Sequence, residues 1–212
     1  MMTSDAKDLL GKTIRGLRDY LLKVLGEAMD SDYQLGIAAI KKTTLSAGPM
    51  ERRRRLEDLL RTGDTLESVI KQAAYTLLNR LVVLKLLEGM GLRREKLVTG
   101  FNDSRAYRDF RQLSPAISNV GDSEGYALLL DLTYRELALE LPGLFGSAGP
   151  ASALALVSVP AYVLREVITR LNDKALESCW QDDMTLGWVY QYWNDPEREA
   201  LDAKLNRREK LE

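Results

Sequence analysis

The sequence predicts an all-α fold, an irregular multi-helix bundle around one long central helix at about residues 64–90. Three observations carry this. Apolar residues recur at helical spacing through most of the chain. Period-two alternation is scarce, with Ala153 to Val159 the best strand candidate, so at most a minor β element is expected. Gly and Pro fall between the periodic segments, where helices stop or start.

The first helix carries Leu9, Leu10, Ile14, Leu17, Leu21, Leu22, Val24 and Leu25 at helical spacing. Ser4 is its expected cap, and Asp5 suits the positive end of the helix dipole. Residues 30–49 are looser and rich in Ser, Gly and Thr. A second helix is expected from Pro49 to about Arg61, stopped at Gly63-Asp64. The third begins at Asp64-Thr-Leu-Glu67, which has capping-box spacing. Its apolar stripe widens from Leu66 to Leu87 until little of the circumference is polar, as in a buried helix, and Gly89 and Gly91 end it. Residues 92–117 read as short helices and loops, and Gly121 to Leu141 as one helix stopped by Pro142-Gly143. The stretch 142–159 reads as a surface loop and a possible subdomain boundary within a single helical domain spanning 1–212. A further helix covers Pro160 to Asn172, with Val163, Leu164, Val167, Ile168 and Leu171 on one face. Met184 to Tyr192 is expected to be a short aromatic helix or turn. Asp195-Pro196 then starts a separate polar helix, a connector over 195–212.

Composition excludes several functions. The 212 residues carry a net charge of −1 at pH 7, so no overall field draws the chain to polyanions. There is no histidine, which removes Ser-His-Asp and Cys-His catalysis and most zinc sites. The single cysteine, Cys179, forms no disulfide within the chain and fits a reducing, cytoplasmic setting. No signal core and no membrane span is readable. No Gly-rich phosphate loop, Rossmann fingerprint or Asn-Pro-Pro-Tyr tetrapeptide occurs. Catalytic, cofactor-binding and metal-binding residues are therefore not assigned. Glu177, Asp182 and Asp183 form an acidic cluster that reads as capping.

Two groups of arginines are candidates for phosphate contact. Arg52, Arg53, Arg54 and Arg55 are consecutive, so on a helix they spread around the whole circumference, and nearby Glu51, Glu57 and Asp58 favour a salt-bridged solvated face. Arg105, Arg108 and Arg111 recur every three residues and can face one way. Asn79 and Arg80 interrupt the apolar third helix. Their expected partners are a loop backbone for Asn79 and a carboxylate such as Glu88 or Glu67 for Arg80. Trp188, Tyr190, Tyr192 and Trp193 place two Trp and two Tyr in six residues of a chain with only three Trp. Base stacking is one reading. Anchoring in a groove between helices is favoured by Gly187 and Val189 among them.

Two segments together resemble a family. Ala73 to Leu92, with Asn79-Arg80-Leu81 at its centre, is similar to a helix near the start of large adenine-specific DNA methyltransferases of BREX-type phage defence and related type IIG restriction-modification proteins. Thr185-Leu-Gly-Trp-Val-Tyr-Gln-Tyr-Trp193, with Gly187, Trp188, Tyr190 and Gln191, resembles an element just upstream of their catalytic domain. Leu141-Pro-Gly-Leu-Phe145 fits between them, and the likeness covers about residues 60–200. It implies a non-catalytic N-terminal helical domain that braces a methyltransferase domain in cis. That domain would supply S-adenosylmethionine binding and base flipping. Duplex DNA or another defence protein is the implied further partner, with no membrane and no metal. A stand-alone helical interaction module and a helical DNA-binding module are the alternatives.

Overall fold

A computed structural model describes residues 2–34, 45–119, 121–146 and 149–208. Two long helices form its axis. Helix α1 spans Ser4–Tyr33 and α3 spans Leu66–Gly89. Around them lie α2 (Ala47–Arg61), α4 (Arg105–Leu113), α5 (Pro115–Ser118), α6 (Tyr126–Ala138), α7 (Pro142–Phe145), α8 (Ala161–Leu171) and α9 (Thr185–Arg208). Among the described residues there are also three 3₁₀ helices, Phe101–Asp103, Gly149–Leu156 and Lys174–Gln181, and no strand. Among the described residues no helix is long and apolar enough to cross a membrane.

The periodicity translates directly into burial. Leu10, Ile14, Leu17, Leu21 and Leu25 of α1 are fully buried against α3, whose Leu78, Leu81, Val82 and Leu84 are equally enclosed. In α8 the five residues Val163, Leu164, Val167, Ile168 and Leu171 are all buried. The core is thus one cluster in which the central helix expected at 64–90 shares its role with α1.

Local departures have local causes. Helix α1 is capped by the Thr3 hydroxyl rather than Ser4, and α3 by the Thr65 hydroxyl rather than Asp64, because Thr3 and Thr65 are the last extended residues before each helix. Helix α6 starts at Tyr126 instead of Gly121. Turns occupy 121–125 and end at Gly125, whose φ of 81° favours glycine and whose bare Cα lies against Phe110 and Ser118. Pro142-Gly143 does not end a helix but opens α7, where Pro needs no N–H partner. The stretch 142–159 is not a surface loop: Phe145, Ala153, Leu156 and Val157 are buried in the common core. The strand expected from Ala153 is 3₁₀ helix as far as Leu156, lying along α3. Residues 35–44 of the loose segment, and 209–212 of the expected connector, lie outside the described residues.

Candidate functional site

The aromatic segment and the polar helix after it are one helix, α9. The break expected at Asp195-Pro196 is absent, although Pro196 deprives the Tyr192 carbonyl of its helical partner. Ion pairs on both sides of the proline hold the turn. Asp195 pairs with Arg15 at 2.9 Å and Arg198 at 2.8 Å, while Glu197 pairs with Arg18 at 2.7 Å and Lys71 at 2.5 Å. Arg15 and Arg18 sit on α1 and Lys71 on α3, so α9 is clamped into the groove between the two axial helices.

The aromatic side chains fill that groove. Trp193 is buried, with its ring 5.4 Å from Tyr75 of α3 and the Arg18 guanidinium 5.9 Å from its centroid. Tyr192 lies under Arg15, and Trp188 stacks on Tyr192 with Lys7 Nζ 3.3 Å from the indole centroid. Gly11 makes the close approach possible, since a Cβ there would come within 3.1 Å of the Tyr192 ring. Tyr190 and Gly187 face outward and Gln191 is half-buried. The faces of three of the four aromatic rings are engaged within the protein, which is anchoring.

Arg80 forms a second clasp. Its guanidinium donates to three backbone carbonyls of the α7 end, Leu144 at 3.3 Å, Phe145 at 3.0 Å and Gly146 at 2.7 Å, and lies 5.4 Å from the Tyr134 ring centroid. The expectation of a carboxylate partner is thus corrected: the backbone bonding expected of Asn79 belongs to Arg80, and Asn79 is half-buried beside it. The forked guanidinium suits this, because five fixed donors can serve several oxygens at once.

A third cluster was not anticipated. Glu88, almost fully buried, accepts three consecutive backbone N–H groups, Leu97 at 2.7 Å, Val98 at 2.9 Å and Thr99 at 2.6 Å. The carbonyls of the same loop are met by Tyr126, whose hydroxyl donates to Leu97 at 3.0 Å, and by Asn172, whose amide donates to Val98 at 2.8 Å. One turn before Glu88, buried Lys85 donates to Thr99 Oγ1 at 2.9 Å and Asn172 Oδ1 at 2.6 Å. Burial lowers the Lys85 ammonium below the ordinary lysine range, with the Glu88 charge opposing the shift. The cluster forms one wall of an open cleft of about 470 Å³, whose rim includes Asp173, Lys174 and Glu177. The available signal was the presence of two charged residues in the most apolar half of α3.

The comparisons give no relative. No family model, curated protein or solved structure matches this chain.

The arginine groups are placed on different neighbours. Helix α2 packs on α1 and the 3₁₀ helix after α7, whereas α4 packs on α5, α6 and Phe101–Asp103. Arg53 is not on an exposed face. It is buried, donating to the Tyr33 and Gln34 carbonyls and pairing with Glu57. Arg52 donates to the Tyr33 hydroxyl at 3.2 Å, Arg55 pairs with Glu51, and Arg54 is exposed. On α4, Arg105, Arg108 and Arg111 are all exposed, with Arg105 paired to Asp109 and Arg111 to Glu124. Asp182 caps: its carboxylate accepts the Met2 and Met184 N–H groups, which hold its pKa below the usual carboxylate range. Among the described residues no group of three or more acidic or cysteine side chains is gathered as a metal ion needs.

Proposed function

We propose that this chain is a helical N-terminal scaffold of a DNA N6-adenine methyltransferase-like protein of a phage-defence or restriction-modification system. It is not catalytic by itself. It braces an S-adenosylmethionine-dependent catalytic domain in cis, inside the cell. Duplex DNA, through the outward arginines of α2 and α4, or a second defence protein is its further partner.

One observation supports this reading above the others. The three segments that carry the resemblance lie far apart in sequence yet meet in the fold. Arg80 clasps the backbone at Leu144 to Gly146, and Tyr75 packs on Trp193. The first contact ties the α7 end to α3 and the second ties α9 to it, which fits a bracing role. The exposed Leu201 and Leu205, four residues apart on the distal half of α9, suit contact with a following domain.

The decisive experiment is to read the coding sequence beyond codon 212 and to express whatever follows with this chain. A frame that runs on into a strand, a Gly-rich turn and an Asn-Pro-Pro-Tyr loop, and that gives adenine methylation, is the expected result. Calorimetric titration of the chain alone with S-adenosylmethionine should give no heat of specific binding. Micromolar binding to the isolated chain would contradict the assignment.

A further inference from the structure

We propose that the cleft bounded by α3, α6, the end of α7, the 3₁₀ helix Gly149–Leu156 and α8 binds a medium-chain monocarboxylate, its alkyl chain along the apolar walls and its carboxylate on the Nη1 edge of Arg80.

The walls are apolar and drawn from five elements. Leu77, Leu130, Phe145, Leu154, Val159 and Leu164 line a cleft of about 790 Å³, a volume within the range of small-molecule sites. Ala127, Ala138 and Ala155 also line it, and their methyl groups are too short to close it. Leu154 and Val159 are only partly buried. An alkyl chain laid against them covers apolar surface that the fold leaves in contact with water.

Arg80 supplies the polar end. A guanidinium has five N–H donors in one plane. Nε gives its one to Leu144, and Nη2 gives its two to Phe145 and Gly146. The two N–H groups of Nη1 have no acceptor among the described residues. Nη1 is not one of the buried nitrogens that lack a partner, so water reaches it. The rigid fork turns this edge away from the three carbonyls, and Arg80 lines the cleft. A pair of parallel N–H groups is the arrangement that a carboxylate matches, and Nη1 offers its pair without disturbing the clasp on α7.

Charge selects the same ligand. Two arginines and one aspartate line the cleft, and Asp131 is taken by Arg135 at 2.8 Å. One positive charge is left over, that of Arg80. A cation would meet two arginines, and a neutral alkane would displace water from Nη1 without replacing its hydrogen bonds. A monoanion with an apolar tail satisfies both the walls and the guanidinium. No described residue of α9 lines this cleft, so the site stands whether or not a catalytic domain follows the chain.

The full chain, labelled at its Leu and Val methyl groups, is titrated with sodium butyrate, hexanoate and octanoate and with 1-octanol, each below its aggregation or solubility limit. The expected result is a saturable shift of the Leu130, Leu154, Val159 and Leu164 methyl signals, with those of Leu10 and Leu25 in α1 unmoved. Affinity should rise about fourfold for each added methylene. Octanoate should bind about tenfold tighter than 1-octanol, the worth of a hydrogen bond to a charged group over a neutral one. That comparison tests Arg80 in the wild-type chain, without a substitution that would loosen α7. Ala155→Phe, at an exposed position of the 3₁₀ helix, should fill the cleft and abolish the shifts while the α1 signals keep their places. Shifts that do not saturate with octanoate overturn the proposal, and so does equal affinity for 1-octanol or a wild-type response in Ala155→Phe. The wild-type titrations decide the matter by themselves if that variant does not fold.

Discussion

Glu88→Gln is the most searching perturbation of this fold, because it preserves shape and removes only charge and one acceptor. The glutamate holds Leu97, Val98 and Thr99 by their backbone N–H groups at 2.7, 2.9 and 2.6 Å. Glutamine has one carbonyl oxygen and one amide nitrogen that donates only. Its better orientation places the oxygen on Leu97 and Val98, leaving the amide facing the Thr99 N–H, donor against donor. Losing one charge-assisted bond and stranding that N–H costs about 2–3 kcal/mol, the scale for a hydrogen bond to a charged group. No cavity opens, so no packing loss is added. For a chain of this length that lowers Tm by about 4–12 °C. Urea denaturation should show a lower midpoint at an unchanged slope, and hydrogen exchange should show faster exchange at the amides of 97–99 than elsewhere. A cost under about 1 kcal/mol with those amides still protected would refute the idea that Glu88 organises the loop.

Three further outcomes follow from the same structure. Gly89→Ala should destabilise by about 1–3 kcal/mol through overpacking against Trp180, although alanine is the better helix former by about 1 kcal/mol; thermal unfolding reads the sign directly. Trp193→Ala should cost about 3–5 kcal/mol and expose α9 to proteolysis before the rest of the chain, since the indole is the centre of the α1–α3 groove. Burial raises Tyr126 and Tyr134 well above the ordinary tyrosine range. The native state therefore keeps protons that the unfolded chain releases, and stability falls as pH rises above about 10, by up to about 1.4 kcal/mol per pH unit for each tyrosine. Lys85 acts with the opposite sign where its lowered native pKa leaves the unfolded chain the more protonated. Tyr126→Phe should flatten the alkaline fall and cost about 1 kcal/mol at neutral pH for the lost bond to Leu97. Guanidinium titrations from neutral to strongly alkaline pH measure both.

What the sequence made legible was periodic and local. The apolar face of α8 could be read residue by residue, because burial of an amphipathic helix leaves its period in the chain. Arg80 was visible as an anomaly in α3, but its carbonyl partners at 144–146 belong to the end of α7, 64 to 66 residues away, which no local rule selects. The continuity of α9 through Pro196 was hidden for the same reason. Local propensity argues for a break there, and the ion pairs that override it come from Arg15 and Arg18 at separations of 180 and 179 residues. The Lys85–Glu88 cluster lay in plain view as two charges in an apolar run, yet its purpose depends on the loop at 97–99 and on Asn172. The outward direction of Arg105, Arg108 and Arg111 was readable from spacing; the burial of Arg53 was not, since four consecutive arginines carry no facing information.

The clamp of α9 on α1 also orders events during synthesis. Met2, Arg15 and Arg18 are made first, and their partners Asp182, Asp195 and Glu197 are made roughly 180 residues later. At about 5–20 residues per second a ribosome needs about 10–40 s to cover that distance. Throughout that interval the α1 surface that receives Tyr192 and Trp193 has no native cover, and it is available to whatever hydrophobic segment arrives first. The nascent chain therefore passes through a stage in which this face of α1 waits for its native cover until α9 has been made.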